Sequence, residues 1–218
     1  MAGDEGIARW VADRLRSDAQ FKSVEPLGSG YLEIVRKDYA PFIAAAIGIR
    51  DVVQHSHVAP LFGGVRRPEF VVNVPSKVIW SGPAIEIVHD APAAFGTLGE
   101  LAKAARTENV SSYRHREYSF FERAFSQHSA VRGITRIYDK VFQLHRHRGL
   151  SDVVVVLVDA YDMSAEDVRL ARESYGTFDA AVKISSYGSI TTAASDAAKS
   201  MGAEAFKFGE LMGRLNKQ

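Results

Sequence analysis

The chain contains no cysteine. That removes disulfides, thiolate metal sites and cysteine nucleophiles together, and makes a reducing cytoplasm the expected setting. Long apolar runs are missing too. The longest fall well short of the ~20 residues of a membrane-spanning helix, and the first residues lack a basic-then-apolar leader, so neither a membrane protein nor an exported one is expected. Neither sign of charge dominates, since 27 Lys and Arg are offset by 26 Asp and Glu. Several catalytic signatures are also absent: no Gly-x-Ser-x-Gly elbow, no phosphate-binding P-loop and no Ser-His-Asp order. Leu27-Gly28-Ser29-Gly30 begins a Gly-x-Gly pattern, but Glu33 stands where a dinucleotide loop needs its third glycine. The stretch reads as a hairpin turn.

What is present is ordinary for a globular chain: 46% apolar and 24% charged residues over 218 positions, enough for one good-sized domain or two small ones. The clearest organisation lies between Asp152 and Leu211. Val153 to Val158 is an unbroken apolar run between two carboxylates, as expected of a strand covered on both faces. Met163 to Gly176 reads as a helix with Ser164 as N-cap, Asp167 three residues on and Gly176 as its stop. Phe178 to Ser185 is strand-like. Ile190 to Met201 places Ala193, Ala197 and Met201, with Ala194 and Ala198, on one side of a helix, and Ala203 to Phe208 completes a strand, helix, strand, helix, strand unit.

In the first half, Asp4 to Arg16 has the apolar stripe of a helix. Tyr31 to Arg36 and Ile43 to Ile49 are expected strands, with Pro41 between them, and Val52 to Phe62 a helix interrupted by Pro60. Phe70 to Val74 is a strand. Gly82 to His89 is a helix with proline in its first turn. Then Ala94-Phe95 precedes Gly99-Glu100-Leu101, just as Ala205-Phe206 precedes Gly209-Glu210-Leu211. Two readings stand: a diverged repeat, or chance similarity between two βαβ units. The expected division is an N-terminal α/β half, residues 1–109, and a second half, residues 110–218.

Charge is unevenly spread. Residues 113–148 hold eight Lys and Arg against three acids, and residues 152–218 hold seven against ten. Arg114, Arg116, Arg123, Arg132, Arg136, Arg146 and Arg148, with Lys140 and interleaved Tyr113, Tyr118 and Tyr138, form the local excess expected of a surface that meets nucleic-acid phosphates. A solvated face paired to the acidic tail gives the same pattern. Tyr113 to Gln127 reads as a helix with Phe120, Phe121, Ala124 and Phe125 inward and its arginines outward. Lys140 to His145 and the run from Val153 then form a hairpin about Gly149, with Asp139 and Asp159 facing each other at its open end. His145-x-His147 and His55-x-His57 have ligand-like spacing but lack a third and fourth ligand.

A helix carrying Phe121-Glu122, a strand entered by Asp139, a hairpin back along Val153 to Tyr161, a helix, then Ile184-Ser-Ser-Tyr-Gly-Ser-Ile-Thr191, Ala194, Ala198, Gly202 and the Gly209-Glu210-Leu211 tail resemble the restriction endonuclease-like fold, most closely its Mrr-type branch. The resemblance covers residues 113–218. It implies an α/β fold with a mixed sheet flanked by helices, and a Mg²⁺-dependent phosphodiesterase whose carboxylates hold the ion that activates water. Carried onto this chain, the implied metal ligands are Asp139 and Asp159, with Asp162 a further candidate and Glu122 as an outer partner. Lys183 would stand in for the assisting lysine. The departure is that no Glu-x-Lys or Asp-x-Lys occurs; Val156 to Ala160 stands in its place, so weak or lost cleavage is implied, with Mg²⁺ or no cofactor. Asp139 and Asp159 also suit plain strand ends, Glu117 and Glu122 suit pairing with neighbouring arginines, and Ser185, Ser186, Ser189 and Thr191 suit a helix cap as well as a phosphate. Two functions follow: a nucleic-acid-associated protein on a nuclease fold, or an inactive subunit that assembles with itself or a partner protein.

Overall fold

A computed structural model describes residues 2–147 and 149–217. The chain forms two compact units, residues 1–115 and 116–218. The first extends past the expected division because Val110, in a 3-10 turn, and Tyr113 both pack into its core.

In the first unit, helix α1 (Ala2–Arg16) is followed by strands β1 (Phe21–Gly28), β2 (Tyr31–Arg36) and β3 (Phe42–Ile47). Then come helix α2 (His55–Phe62), β4 (Phe70–Asn73), α3 (Gly82–Asp90), β5 (Ala94–Gly96) and α4 (Leu98–Ala104). The strands lie in the order β1-β2-β3-β4-β5, antiparallel through β3 and parallel after it. β1 contains Pro26 and two register shifts, which hide its periodicity in the sequence. Its turn to β2 places Gly28, Ser29 and Gly30 all at positive φ. Leu32, Ala44, Phe70 and Leu101 pack with α1 on one face, while Val53, Val71, Trp80 and Ile85 form the core of the other.

The second unit has the same succession: α5 (Arg116–Ser126), β6 (Val131–Tyr138), β7 (Val141–Arg146), β8 (Val153–Val158), α6 (Ala165–Tyr175), β9 (Ala180–Lys183), α7 (Thr192–Ser200), β10 (Glu204–Lys207) and α8 (Phe208–Arg214). Its order is β10-β9-β8-β7-β6. β8 is central. Val156 and Val158 enter one core, with α6 and α7, and Val155 and Leu157 enter the other, with Phe121 and Phe125. β7 and β8 form an antiparallel ribbon as expected, but one residue out of the register of a pivot on Gly149, with Val141 opposite Val156 and Leu144 opposite Val153. The α6 capping box at Ser164 and Asp167 and the positive φ of Gly176 also agree with the sequence reading.

Matching geometry recurs at an offset of 110 residues. Phe21 pairs with Arg36 and Val131 with Arg146, and the register shifts Phe21/Ser23 and Pro26/Gly28 recur at Val131/Gly133 and Arg136/Tyr138. Isolated bridges join Val53 to Trp80 and Met163 to Ile190. Ser81 and Thr191 cap corresponding helices. Phe70 pairs with Ala94 and Ala180 with Glu204, so the Ala-Phe match seen in sequence is one residue out of step, whereas Gly99-Glu100-Leu101 and Gly209-Glu210-Leu211 are in step.

Candidate functional site

The ribbon does not bring Asp139 and Asp159 face to face as a pivot on Gly149 would, because its register is one residue out and, continued, sets Asp139 across from Val158. Asp139 precedes β7, Asp159 follows β8, and the Leu157 amide donates to the Lys140 carbonyl at 2.8 Å. Around Asp139 the sheet and two helices gather a polar cluster. Arg136 reaches Glu122 of α5 at 3.5 Å, donates to the Asp139 carbonyl at 3.2 Å and lies over the Phe142 ring at 4.9 Å. Its side chain is nine-tenths buried, and that burial lowers its pKa against the opposing pull of Glu122 and Asp139. Burial likewise pushes the Tyr175 phenol up, reinforced by the charge of the Asp139 carboxylate, to which it is hydrogen bonded. Lys140 lies over the Tyr118 ring at 5.8 Å. The carboxylate implied as the first metal ligand therefore sits beside a guanidinium and a phenol. Asp159 is exposed. Among the described residues no three His, Cys, Asp or Glu side chains assemble as a metal site. With a fixed cation already at the cluster, this donor set does not suit Mg²⁺.

Lys183 ends β9 and is buried, but it does not face that cluster. Its ammonium donates to the carbonyls of Ser185 and Tyr187, closing the loop before α7. Asp162 accepts from the amide and hydroxyl of Ser189 at 2.6 and 2.8 Å, bonds that hold its carboxyl below the ordinary range. Thr191 caps α7 through the Ala194 amide at 3.1 Å, so it takes the capping role. The serines at 185 and 189 are engaged in the same loop structure.

The arginines divide by environment. Arg146 is buried, and its guanidinium donates to the carbonyls of Ser151, Leu215 and Lys217 at 2.6, 3.1 and 2.7 Å. It clamps the end of α8 and is taken out of any phosphate-binding surface, because a buried fork engaged by carbonyls cannot also meet solvent ligands. Arg36 does the same for α4 through Ala40, Ala105, Thr107 and Glu108. Arg136 is buried in the cluster described above. Arg114 is half-buried against the carbonyls of Ser111, Tyr113 and Ala93. Arg148 lies outside the described residues. Arg116, Arg123 and Arg132 are exposed.

On α5 the exposed face differs from the expected one. Phe121 and Phe125 are buried, but Phe120 is 51% exposed rather than inward. Its ring leans on Phe121 and on Phe208 of α8 at centroid distances of 5.4 and 5.3 Å. Arg116, Phe120 and Arg123, spaced i, i+4 and i+7, share one side of the helix with Ser119 and Ser126. Glu117 lies to the side of this stripe, and Glu122 turns toward Arg136. Neither Arg116 nor Arg123 is in an ion pair among the described residues. The i, i+4 spacing of Phe121 and Phe125 marked the inner face, but the adjacency of Phe120 to Phe121 masked which of the two faced out.

A cavity of about 430 Å³ opens at the starts of β8, β9 and β10, lined by Arg146, Asp152, Asp179, Glu204, Phe206 and Arg214, among others. Ala180 stands there at the position equivalent to the fully buried Phe70 of the first sheet. Its charges are already engaged: Arg214 with Glu204 at 3.2 Å, Asp179 with the Val154 amide at 2.7 Å.

No protein-family model, curated protein or solved structure was found to match the chain.

Proposed function

We propose that the chain is a nucleic-acid-associated protein on a nuclease-like fold, in which metal-dependent cleavage is weak or lost and phosphates are met by the exposed face of α5. The observation that carries this reading is the stripe Arg116, Phe120, Arg123: two cations with no ion partner among the described residues, flanking an exposed aromatic ring. Cations of this kind neutralise phosphates, and an exposed ring offers a stacking surface to unpaired bases. The nuclease-like aspect is supported by the succession of a glutamate-bearing helix, a ribbon entered at Asp139, and alternating helices and parallel strands ending in Gly209-Glu210-Leu211. Asp139, Asp159 and Lys183, the implied catalytic set with Glu122, are not arranged for catalysis in this reading, because Arg136 and Tyr175 engage Asp139 and loop carbonyls engage Lys183.

The recurring 110-residue offset supports a further part of the reading: the two units are diverged copies. In the first copy the polar cluster is gone, with Ala8, Ala12, Pro26, Ser29, Gly30 and Val65 at the positions of Tyr118, Glu122, Arg136, Asp139, Lys140 and Tyr175. On α1, Arg9 and Arg16 are paired with Glu5 and Asp13 at 3.6 and 2.7 Å. The basic stripe is thus a feature of the second copy.

Binding to mixed-sequence duplex and single-stranded nucleic acid at two salt concentrations tests the proposal. Arg116→Ala with Arg123→Ala is expected to weaken binding about tenfold at low salt and to reduce the salt slope by about 2. Phe120→Ala is expected to weaken single-strand binding more than duplex binding. No binding by the unaltered chain at low salt removes the proposal. Plasmid incubated with Mg²⁺ or Mn²⁺ tests the catalytic part, where robust cleavage abolished by Asp139→Ala would overturn the claim of lost activity.

A further inference from the structure

One hydroxyl, one imidazole and one carboxylate come together on the first three strands of the second unit, away from the α5 stripe. Thr135 Oγ1 lies 2.8 Å from His145 Nε2, and His145 Nδ1 lies 2.7 Å from Asp152 Oδ2. Thr135 is on the edge strand β6, His145 on β7, and Asp152 immediately precedes β8, so three hydrogen-bonded strands set the spacing. All three side chains are accessible to solvent.

The protonation pattern follows from the partners. An ionised carboxylate only accepts, so His145 donates from Nδ1. In the neutral ring Nε2 then accepts, and Thr135 donates its hydroxyl proton to it. That is the arrangement of a hydroxyl nucleophile activated by a base that a third group orients. Asp152 is itself fixed by the Gln143 amide and the Arg146 backbone N–H, each at 3.3 Å. The His145 hydrogen bond, followed by that N–H and the charge of Arg132, holds its carboxyl below the ordinary range.

The fold does not require this trio. At the equivalent positions of the first unit's β1, β2 and β3 the residues are Glu25, Val35 and Pro41, the offset being 111 rather than 110 at β3 because Tyr31 pairs with Ala45 where Val141 pairs with Val156, and the same three-stranded arrangement forms. Sheet stability alone therefore does not account for the three side chains.

We propose that Thr135, His145 and Asp152 form an acyl-transfer site acting on small carboxylic esters that reach the sheet edge from solvent. Thr135 Oγ1 forms a bond to the ester carbonyl carbon while its proton passes to His145 Nε2. The carbon–alkoxy bond breaks and the leaving oxygen takes that proton, departing as an alcohol. Water then attacks the Thr135 ester, His145 accepts the water proton, and the Thr135 oxygen leaves with the proton returned to it. Ester and water become acid and alcohol. Thr135 and His145 are the catalytic residues; Asp152 is a positioning residue.

The full-length chain with p-nitrophenyl acetate tests this, with peptide mass mapping to locate the acyl group and urea midpoints to verify that each variant is folded. Expected are turnover above buffer and acylation at residue 135, both reduced about 100-fold or more in His145→Gln and Thr135→Ala. Thr135→Ser, which keeps a hydroxyl, is expected to be acylated at residue 135. Asp152→Asn is expected to lower kcat with KM unchanged, which a role in sheet folding alone does not produce. Turnover equal to buffer, or undiminished turnover in folded Thr135→Ala, overturns the proposal. Neither outcome bears on nucleic-acid binding by Arg116 and Arg123.

Discussion

A buried guanidinium that satisfies several carbonyls is a structural group, and Arg36 and Arg146 show this twice. Removing either leaves helix-end carbonyls without their guanidinium partner at a part-buried site. Arg146→Ala is expected to lower stability by about 3 kcal/mol in urea unfolding, and Arg146→Lys to restore little of it, because an ammonium cannot reproduce the fork. Glu100 makes a different kind of contribution. Burial pushes its carboxyl up, but hydrogen bonds from Lys103 and Tyr113, aided by the charge of His115, outweigh that and hold it below the ordinary value. A carboxyl depressed in the folded state stabilises at pH above its unfolded value and loses that contribution as pH falls through the folded one. Glu100→Gln is therefore expected to cost about 1 to 2 kcal/mol at pH 7, with the gap to the unaltered chain narrowing as pH falls below the ordinary glutamate range when urea midpoints are compared. Sequence reading placed Arg146 among the phosphate ligands because charge density along a chain carries no information on which cations turn inward. The same limit applies to Lys183. Both lie at ends of strands whose burial only the sheet defines.

At the scale of elements, local chemistry was legible wherever a cap or a turn carried the signal. Ser164, Asp167 and Gly176 delimit α6, and the Val153 to Val158 run marks β8 as central. β1 and β6 were not legible as strands. Each is an edge strand with two register shifts, so its alternation is broken where a period-2 reading needs it. The loop before α7 depends on a close approach that no pattern announces. A Cβ on Gly188 would stand 2.0 Å from the Tyr161 carbonyl oxygen, and the residue has a φ of 76°. Gly188→Ala is expected to destabilise by about 2 kcal/mol or more, whereas Gly213→Ala, within α8 and with nothing within 4 Å of its Cβ, is expected to stabilise by roughly 0.5 kcal/mol. Thermal or urea unfolding of the two single variants checks both signs.

At the scale of the whole molecule, each unit holds two hydrophobic cores made only of its own residues, one on either face of its sheet. A domain of roughly 100 residues is large enough to fold alone. The fragment 116–218 is therefore expected to unfold cooperatively in urea by circular dichroism; an expressed fragment without ordered secondary structure would show that the second unit needs the first. Apolar periodicity, caps and the absence of cysteine and of long apolar runs determined by themselves an α/β chain of helices and strands, because those signals are written over a few neighbouring residues. The tertiary structure alone decided which polar side chains meet. Asp139 joins Arg136 and Tyr175, Arg146 closes a helix end, and Thr135, His145 and Asp152 converge, since each grouping is made by strands and helices that are distant along the chain and adjacent only once the sheet has formed.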